Sequence, residues 1–295
     1  MDRLPGALLA VDIGGTKLAV GRVSAEGDVL DHRTAPTEGG DSESLWRQLV
    51  DLTDTVRRGD EQVCGVGCGG PMLPGGETVS PLNIPQWRDF PLRKRLADHL
   101  GLPVVVDNDA KALALGEGWR GAAQGERNFL AMVVSTGVGG GIVLDGRLLD
   151  GAGGNAGHIG HMTVEPDGRL CACGARGCLE AEASGLSIAA TTGRPPQEAS
   201  AAVRERTGRL VGRAVASVAN LLDLRLAVVA GSVALGFGEP FFAAAQAELD
   251  ARARIEFSRG ARIRPAGLGA DGPLVGAAAL GRRALEVSTS TSTTS

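Results

Sequence analysis

Two stretches of this chain follow one plan, and no other feature limits its possible folds so strongly. Residues 8–30, LLAVDIGGTKLAVGRVSAEGDVL, read as an apolar strand, a Gly-Gly turn, a second apolar strand and a polar turn leading into a third. Residues 129–151, FLAMVVSTGVGGGIVLDGRLLDG, repeat the order of strand, glycine-rich turn, strand, Asp-Gly turn and strand. Both are meanders joined by hairpins. Two copies of one supersecondary unit, about 120 residues apart, predict a duplicated α/β core with a cleft between its halves.

The stretches between and after the copies fit such a core. Leu45, Leu49, Leu52 and Val56 recur at helical spacing, a short strand is predicted over 62–67, and another helix near 91–100. LPVVVDND (102–109) reads as a buried strand, with a helix in the residues after it. Helices are predicted at about 181–190, 197–222 and 239–253, strands at 225–232 and 261–265, and a last helix from Asp271 to about Glu286. The domains are expected as a small one (1–108 plus 272–287) and a large one (109–271), followed by a disordered Ser/Thr tail (288–295).

Composition excludes several classes of function. The net charge of −4, without a Lys/Arg block, gives no electrostatic footprint for nucleic acid or an anionic membrane. Aromatics are 3% and tyrosine is absent, which argues against a base-stacking surface. The longest apolar stretch, LAVVAGSVALGFG (226–238), is too short and glycine-rich to span a bilayer, and the N-terminus lacks a signal peptide's pattern. The expected location is the cytoplasm. Five cysteines, three of them on one loop, suit a reducing compartment and a metal better than a disulfide framework.

The two glycine turns carry the first chemistry. In DIGGTK (12–17) the glycines let backbone N–H groups approach an anion, Thr16 adds a hydroxyl, and Asp12 is placed to hold a Mg²⁺-bound water. STGVGGG (135–141) repeats the pattern. Either alone reads as a tight hairpin; matching positions favour a nucleotide's phosphates. GVGCGG (65–70) formally fits G-x-G-x-x-G, but Pro71 and Pro74 follow, so it is read as a turn and not as a dinucleotide site.

Downstream, GHIGH (157–161) precedes CACGARGCLE (171–180). His161, Cys171, Cys173 and Cys178 form a Cys₃His set suited to a tetrahedral, structural Zn²⁺. The plain alternative is three reduced cysteines in a loop. Cys64 and Cys68 are read as small core residues or residues lining the cleft.

Taken in order, DIGGTK, DNDA, STGVGGG and the His/Cys cluster resemble the ROK family of bacterial sugar kinases and related repressors, over nearly the whole chain. The resemblance implies the duplicated actin/hexokinase-like (ribonuclease H-like) fold, two domains flanking a cleft. It implies ATP as phosphoryl donor with Mg²⁺, and a sugar as acceptor. Gly14, Gly15, Thr16, Thr136 and Gly137 would surround the phosphates, Asp12 and Lys17 would join them, and AGSVALG (230–236), including Gly231, would lie near the adenosine. Asn108 and Asp109 match the family's sugar-binding amide and general base, although Asp109 read on its own is more readily a helix N-cap, a reading that the resemblance reverses. Asn83, His158, His161 and Glu180 would complete the sugar pocket, with His161 also a zinc ligand.

Two positions depart from the family pattern. Lys111 stands where relatives carry a small or amide residue, and reads either as a solvated helix position or as a cation near the cleft. His158 stands where the family's kinases place a glutamate. An imidazole offers one donor and one acceptor, so the substitution is either tolerated with glucose or marks an altered sugar, such as an amino-deoxy sugar of the 3-amino-3-deoxyglucose (kanosamine) type. An N-acetylhexosamine, a cyclitol, and a non-catalytic sugar-responsive regulator are the alternatives. A regulator would carry a DNA-binding domain before the first phosphate loop, which here begins within fifteen residues of the start. A homo-oligomer, dimer or tetramer, is expected.

Overall fold

The computed structural model describes residues 6–37 and 39–292, with side chains as far as 287. The chain forms two compact units. The first holds the described residues up to Arg120, the segment Asp150–Asn155 and the residues from Ala270 onward; the second holds Gly121–Leu149 and Ala156–Gly269.

The first unit opens with the expected meander: β1 (Leu8–Ile13), β2 (Lys17–Val23) and β3 (Val29–Pro36). Helix α1 (Ser42–Val56) follows, its start fixed by the Asp41 carboxylate accepting from the Ser44 N–H at 2.7 Å. Then come β4 (Cys64–Cys68), α2 (Leu92–Leu100), β5 (Val104–Asn108) and α3 (Asp109–Arg120). The sheet order is β3-β2-β1-β4-β5, antiparallel within the meander and parallel from β1 through β5. The period-2 pattern of β1 serves both faces. Leu9, Val11 and Ile13 enter the core with Leu45, Leu49 and Leu96, while Leu8 and Ala10 face Leu274 and Ala277.

The second unit repeats this arrangement with β6 (Phe129–Val134), β7 (Val138–Leu144) and β8 (Arg147–Leu148). Two short helices, α4 (Leu179–Ala183) and α5 (Gly185–Thr192), stand where one helix was predicted. The chain breaks at Ser184, whose hydroxyl caps α5 by accepting from Ser187 N–H. Helix α6 (Ala201–Leu222), β9 (Leu226–Ala230), α7 (Ser232–Phe237), α8 (Glu239–Arg252) and β10 (Arg262–Pro265) complete it. Its sheet order is β10-β9-β6-β7-β8, with β6–β9 and β9–β10 parallel and the rest antiparallel. The duplication read from the sequence is therefore a duplication of topology.

The last helix, α9 (Gly272–Ser292), returns to the first unit and packs on β1, β4 and α3. Three expectations change here. GVGCGG is mainly strand β4; Gly65 is required because a Cβ there would overlap the Ala277 carbonyl on α9. Helix α3 belongs to the first unit, not to a domain starting at 109, because its buried face packs against α9. The tail set apart as disordered from 288 is helical to Ser292, and residues 293–295 lie outside the described residues. No helix among the described residues is long and apolar enough to cross a membrane.

Candidate active site and metal centre

In the first unit the β1–β2 hairpin and the β5–α3 junction converge. A Cβ at Gly67 on β4 would stand 3.6 Å from Asp12 Oδ1 and 3.5 Å from the Cα of Asp109, so this bare strand position separates the two acidic residues. Burial pushes the Asp12 carboxyl up to about 7, Asp109 adds to the rise and Lys17 opposes it. The same neighbourhood, burial first and then Asp109 and Asp12, drives the Cys68 thiol well above its usual range. Cys64 and Cys68 are both fully buried in the core.

The hairpin itself is tightly defined. Gly14 N–H donates to Lys17 carbonyl at 3.0 Å, and Thr37 Oγ1 donates to Gly14 carbonyl at 2.7 Å. Gly15 packs on Asn83, whose Cβ lies 2.5 Å from where a Gly15 Cβ would be. Thr16 and Lys17 are exposed. At the end of β5, Asn108 Oδ1 accepts from Ala110 N–H at 3.0 Å, which puts Asn108 and not Asp109 in the capping place. Asp109 begins α3, its Oδ1 accepts from Ala110 N–H at 2.8 Å, and the residue is exposed.

In the second unit the β6–β7 hairpin carries Thr136 and Gly137. Glu180, on α4, reaches this turn: its Oε2 accepts from Val138 N–H at 2.9 Å and lies 2.8 Å from where a Gly137 Cβ would be. A cavity of about 350 Å³ adjoins it, lined by Ser135, Thr136, Leu186, Pro195, Ser232 and Phe237 among others. The Ser135 and Ser232 hydroxyls bond across its wall at 2.9 Å. Gly231 forms the turn into α7 but does not line the cavity; Ser232 does. Sequence reading missed Leu186 and Pro195, because their apolar contribution appears only once α5 folds beside α7.

The four metal candidates come together. The donor atoms of His161, Cys171, Cys173 and Cys178 lie within 4.8 Å of one another. Cys171 Sγ is 3.7 Å from His161 Nδ1, and Cys173 Sγ is 3.7 Å from Cys178 Sγ. A tetrahedral ion with Zn–S bonds of about 2.3 Å requires sulfur–sulfur edges of roughly 3.8 Å, so this donor set fits zinc. The loop is held from behind. Glu182 accepts from Arg169 N–H at 2.7 Å and from Arg206 at 2.6 Å, while Arg213 donates to Val164 carbonyl at 2.7 Å. His158 and His161 are both exposed, with ring centroids 6.2 Å apart and planes 17° from parallel.

Lys111 is not a solvated helix position. It is 3% exposed and paired with Asp107 and Asp150.

Comparison with known proteins supplies independent findings. The model of the ROK family matches residues 8–284. A glucokinase of Halalkalibacterium halodurans is 33% identical over 91% of this chain and 92% of its own. An N-acetylmannosamine kinase of Escherichia fergusonii is 36% identical over 78% of this chain and 84% of its own. The crystal structure of a ROK family glucokinase from Streptomyces griseus, in complex with glucose and AMPPNP, superposes with a TM-score of 0.82. It is 32% identical and covers 94% of this chain and 100% of its own.

Proposed function

The chain belongs to the ROK family, and on that premise we propose that it is an ATP-dependent sugar kinase acting on the 6-hydroxyl of glucose or a close relative. The observation that carries this reading is the meeting of Asp12 and Asp109 at Gly67, beside a glycine hairpin. In this reading Asp109 is the general base. As the sugar oxygen bonds to the γ-phosphorus and the bond to the β–γ bridging oxygen breaks, the hydroxyl proton passes to the Asp109 carboxylate. Its position at the start of α3, exposed and with Asn108 taking the capping place, supports that role over a purely structural one.

Asn108 and Asn83 contribute amide contacts to the sugar. Thr136 and Gly137 take the nucleotide's phosphates, and the 350 Å³ cavity takes its adenosine. Asp12, a hard oxygen donor, would hold Mg²⁺ through water; that ion supplies charge neutralisation on the phosphates. His161, Cys171, Cys173 and Cys178 would hold zinc, whose part is to fix the loop. With Nδ1 turned to the cluster, the Nε2 edge of His161 serves the sugar. Glu180 and His158 complete the sugar contacts.

The sugar is the finer question. The likeness to both a glucokinase and an N-acetylmannosamine kinase supports two acceptor classes, and His158 adds a third, an amino-deoxy glucose. A coupled ADP-release assay with glucose, mannose, N-acetylglucosamine, N-acetylmannosamine and 3-amino-3-deoxyglucose separates them. The order of kcat/KM is expected to change in His158→Glu; an unchanged order means the imidazole does not select the sugar. Asp109→Asn is expected to lower kcat by about 10²- to 10⁴-fold with sugar KM little altered. Undiminished turnover in that variant would remove the mechanism.

A further inference from the structure

Lys111 stands in the first turn of α3, where the helix dipole disfavours a cation, and its side chain is 3% exposed, where an ammonium is costly. Both penalties are met by three acceptors. Nζ donates to Asp150 Oδ1 at 2.8 Å and to Gly154 carbonyl at 3.2 Å, and pairs with Asp107 Oδ2 at 2.9 Å. Three donors thus find three partners.

These partners come from two directions. Asp107 is the last residue but one of β5, and its other oxygen, Oδ1, accepts from Asn108 N–H at 2.7 Å. Asp150 and Gly154 belong to the short segment that leaves the second unit after Leu149 and rejoins it at Ala156, two residues before His158. Lys111 therefore links that crossing segment, through Asp107, to the backbone of Asn108 and the start of the helix bearing Asp109.

We propose that Lys111 is a positioning residue that couples the crossing segment Asp150–Asn155 to the Asn108–Asp109 pair, so that affinity for the sugar, and not for ATP, depends on this link. The effect on affinity rests on the kinase reading; the coupling does not.

Asp150 is the tractable end, because its side chain is 56% exposed and its substitution leaves no buried charge cavity. In Asp150→Asn, amide hydrogen exchange in residues 107–111 is expected to quicken although the substitution lies far along the chain. Sugar KM is expected to rise about tenfold with ATP KM changed less than twofold. Lys111→Met should behave alike, and the double variant should be no worse than Lys111→Met alone, since Asp150 acts through Lys111. Unchanged exchange at 107–111, parallel rises in both KM values, or multiplying single effects would each overturn the proposal. If Lys111→Met does not fold, Asp150→Asn decides alone. Native protein that phosphorylates no sugar of the panel overturns the kinase reading, and the exchange measurement still decides the coupling.

Discussion

The β1–β2 and β6–β7 hairpins occupy equivalent places in two sheets of equal topology, yet their surroundings are opposite. The first is bordered by an acidic pair, Asp12 and Asp109; burial of Asp12, and then repulsion from Asp109, hold the Asp12 carboxyl near 7. The second has a backbone N–H already engaged by Glu180 and opens on an apolar cavity walled by hydroxyls. One supersecondary unit thus keeps its architecture in two surroundings, acidic in the first copy and apolar with hydroxyls in the second. The contrast also shows what each glycine is for. Gly15 makes room for the main body of Asn83, and Gly137 makes room for the tip of a carboxylate.

The largest asymmetry to test is the metal. Zinc is expected at one per chain, and its removal by a chelator, or Cys178→Ser, should cost several kcal/mol in the second unit. Hydrogen exchange should then rise over 156–183 while the β1–β2 hairpin keeps its protection. Active, freshly purified protein without zinc would end the assignment.

Next is Asp12. Its folded pKa of about 7 lies above the ordinary 3.8, so the folded state binds the extra proton between these values. Stability from this group is therefore greatest at low pH and falls as pH rises from about 4 to about 7, by on the order of 3 kcal/mol. Asp12→Asn should abolish that slope and leave the variant more stable than the native protein at pH 8, measured by urea unfolding across pH. A slope identical in both proteins would show that Asp12 is not the titrating group.

The smallest effect separates the two glycines. Gly15→Ala would press on the Asn83 Cβ and carbonyl, whereas Gly137→Ala would press only on the end of a flexible Glu180 side chain. The first should cost about 1–3 kcal/mol and the second less than half of that. Equal losses would mean that the second hairpin is as rigidly backed as the first.

Much of this division was legible in the sequence because it is local. Strand, glycine turn and strand sit within a few residues of each other, Asn108 ends its strand and Asp109 follows directly, and the cysteines declare themselves by spacing. What escaped depends on distant partners. For Lys111 the sequence leaves a solvated helix position and a cation near the cleft side by side, and only Asp150 and Gly154, about forty residues on, show it buried and paired. Gly65 and Gly67 fall within the strand expected over 62–67, but only α9, far along the chain, explains Gly65 as a close approach of two backbones. Helix α3 likewise reads as the start of a new domain, and only its packing on α9 ties it to the first unit.

That cover has a consequence for how the protein is made. Strands β1 and β4 leave the ribosome roughly two hundred residues before α9, which closes one of their faces through Leu274 and Ala277. The second unit is almost continuous in sequence and complete by Gly269. On the growing chain, the half that is synthesised later is therefore the half able to finish folding first, and Leu8 and Ala10 must stay uncovered until α9 has been made.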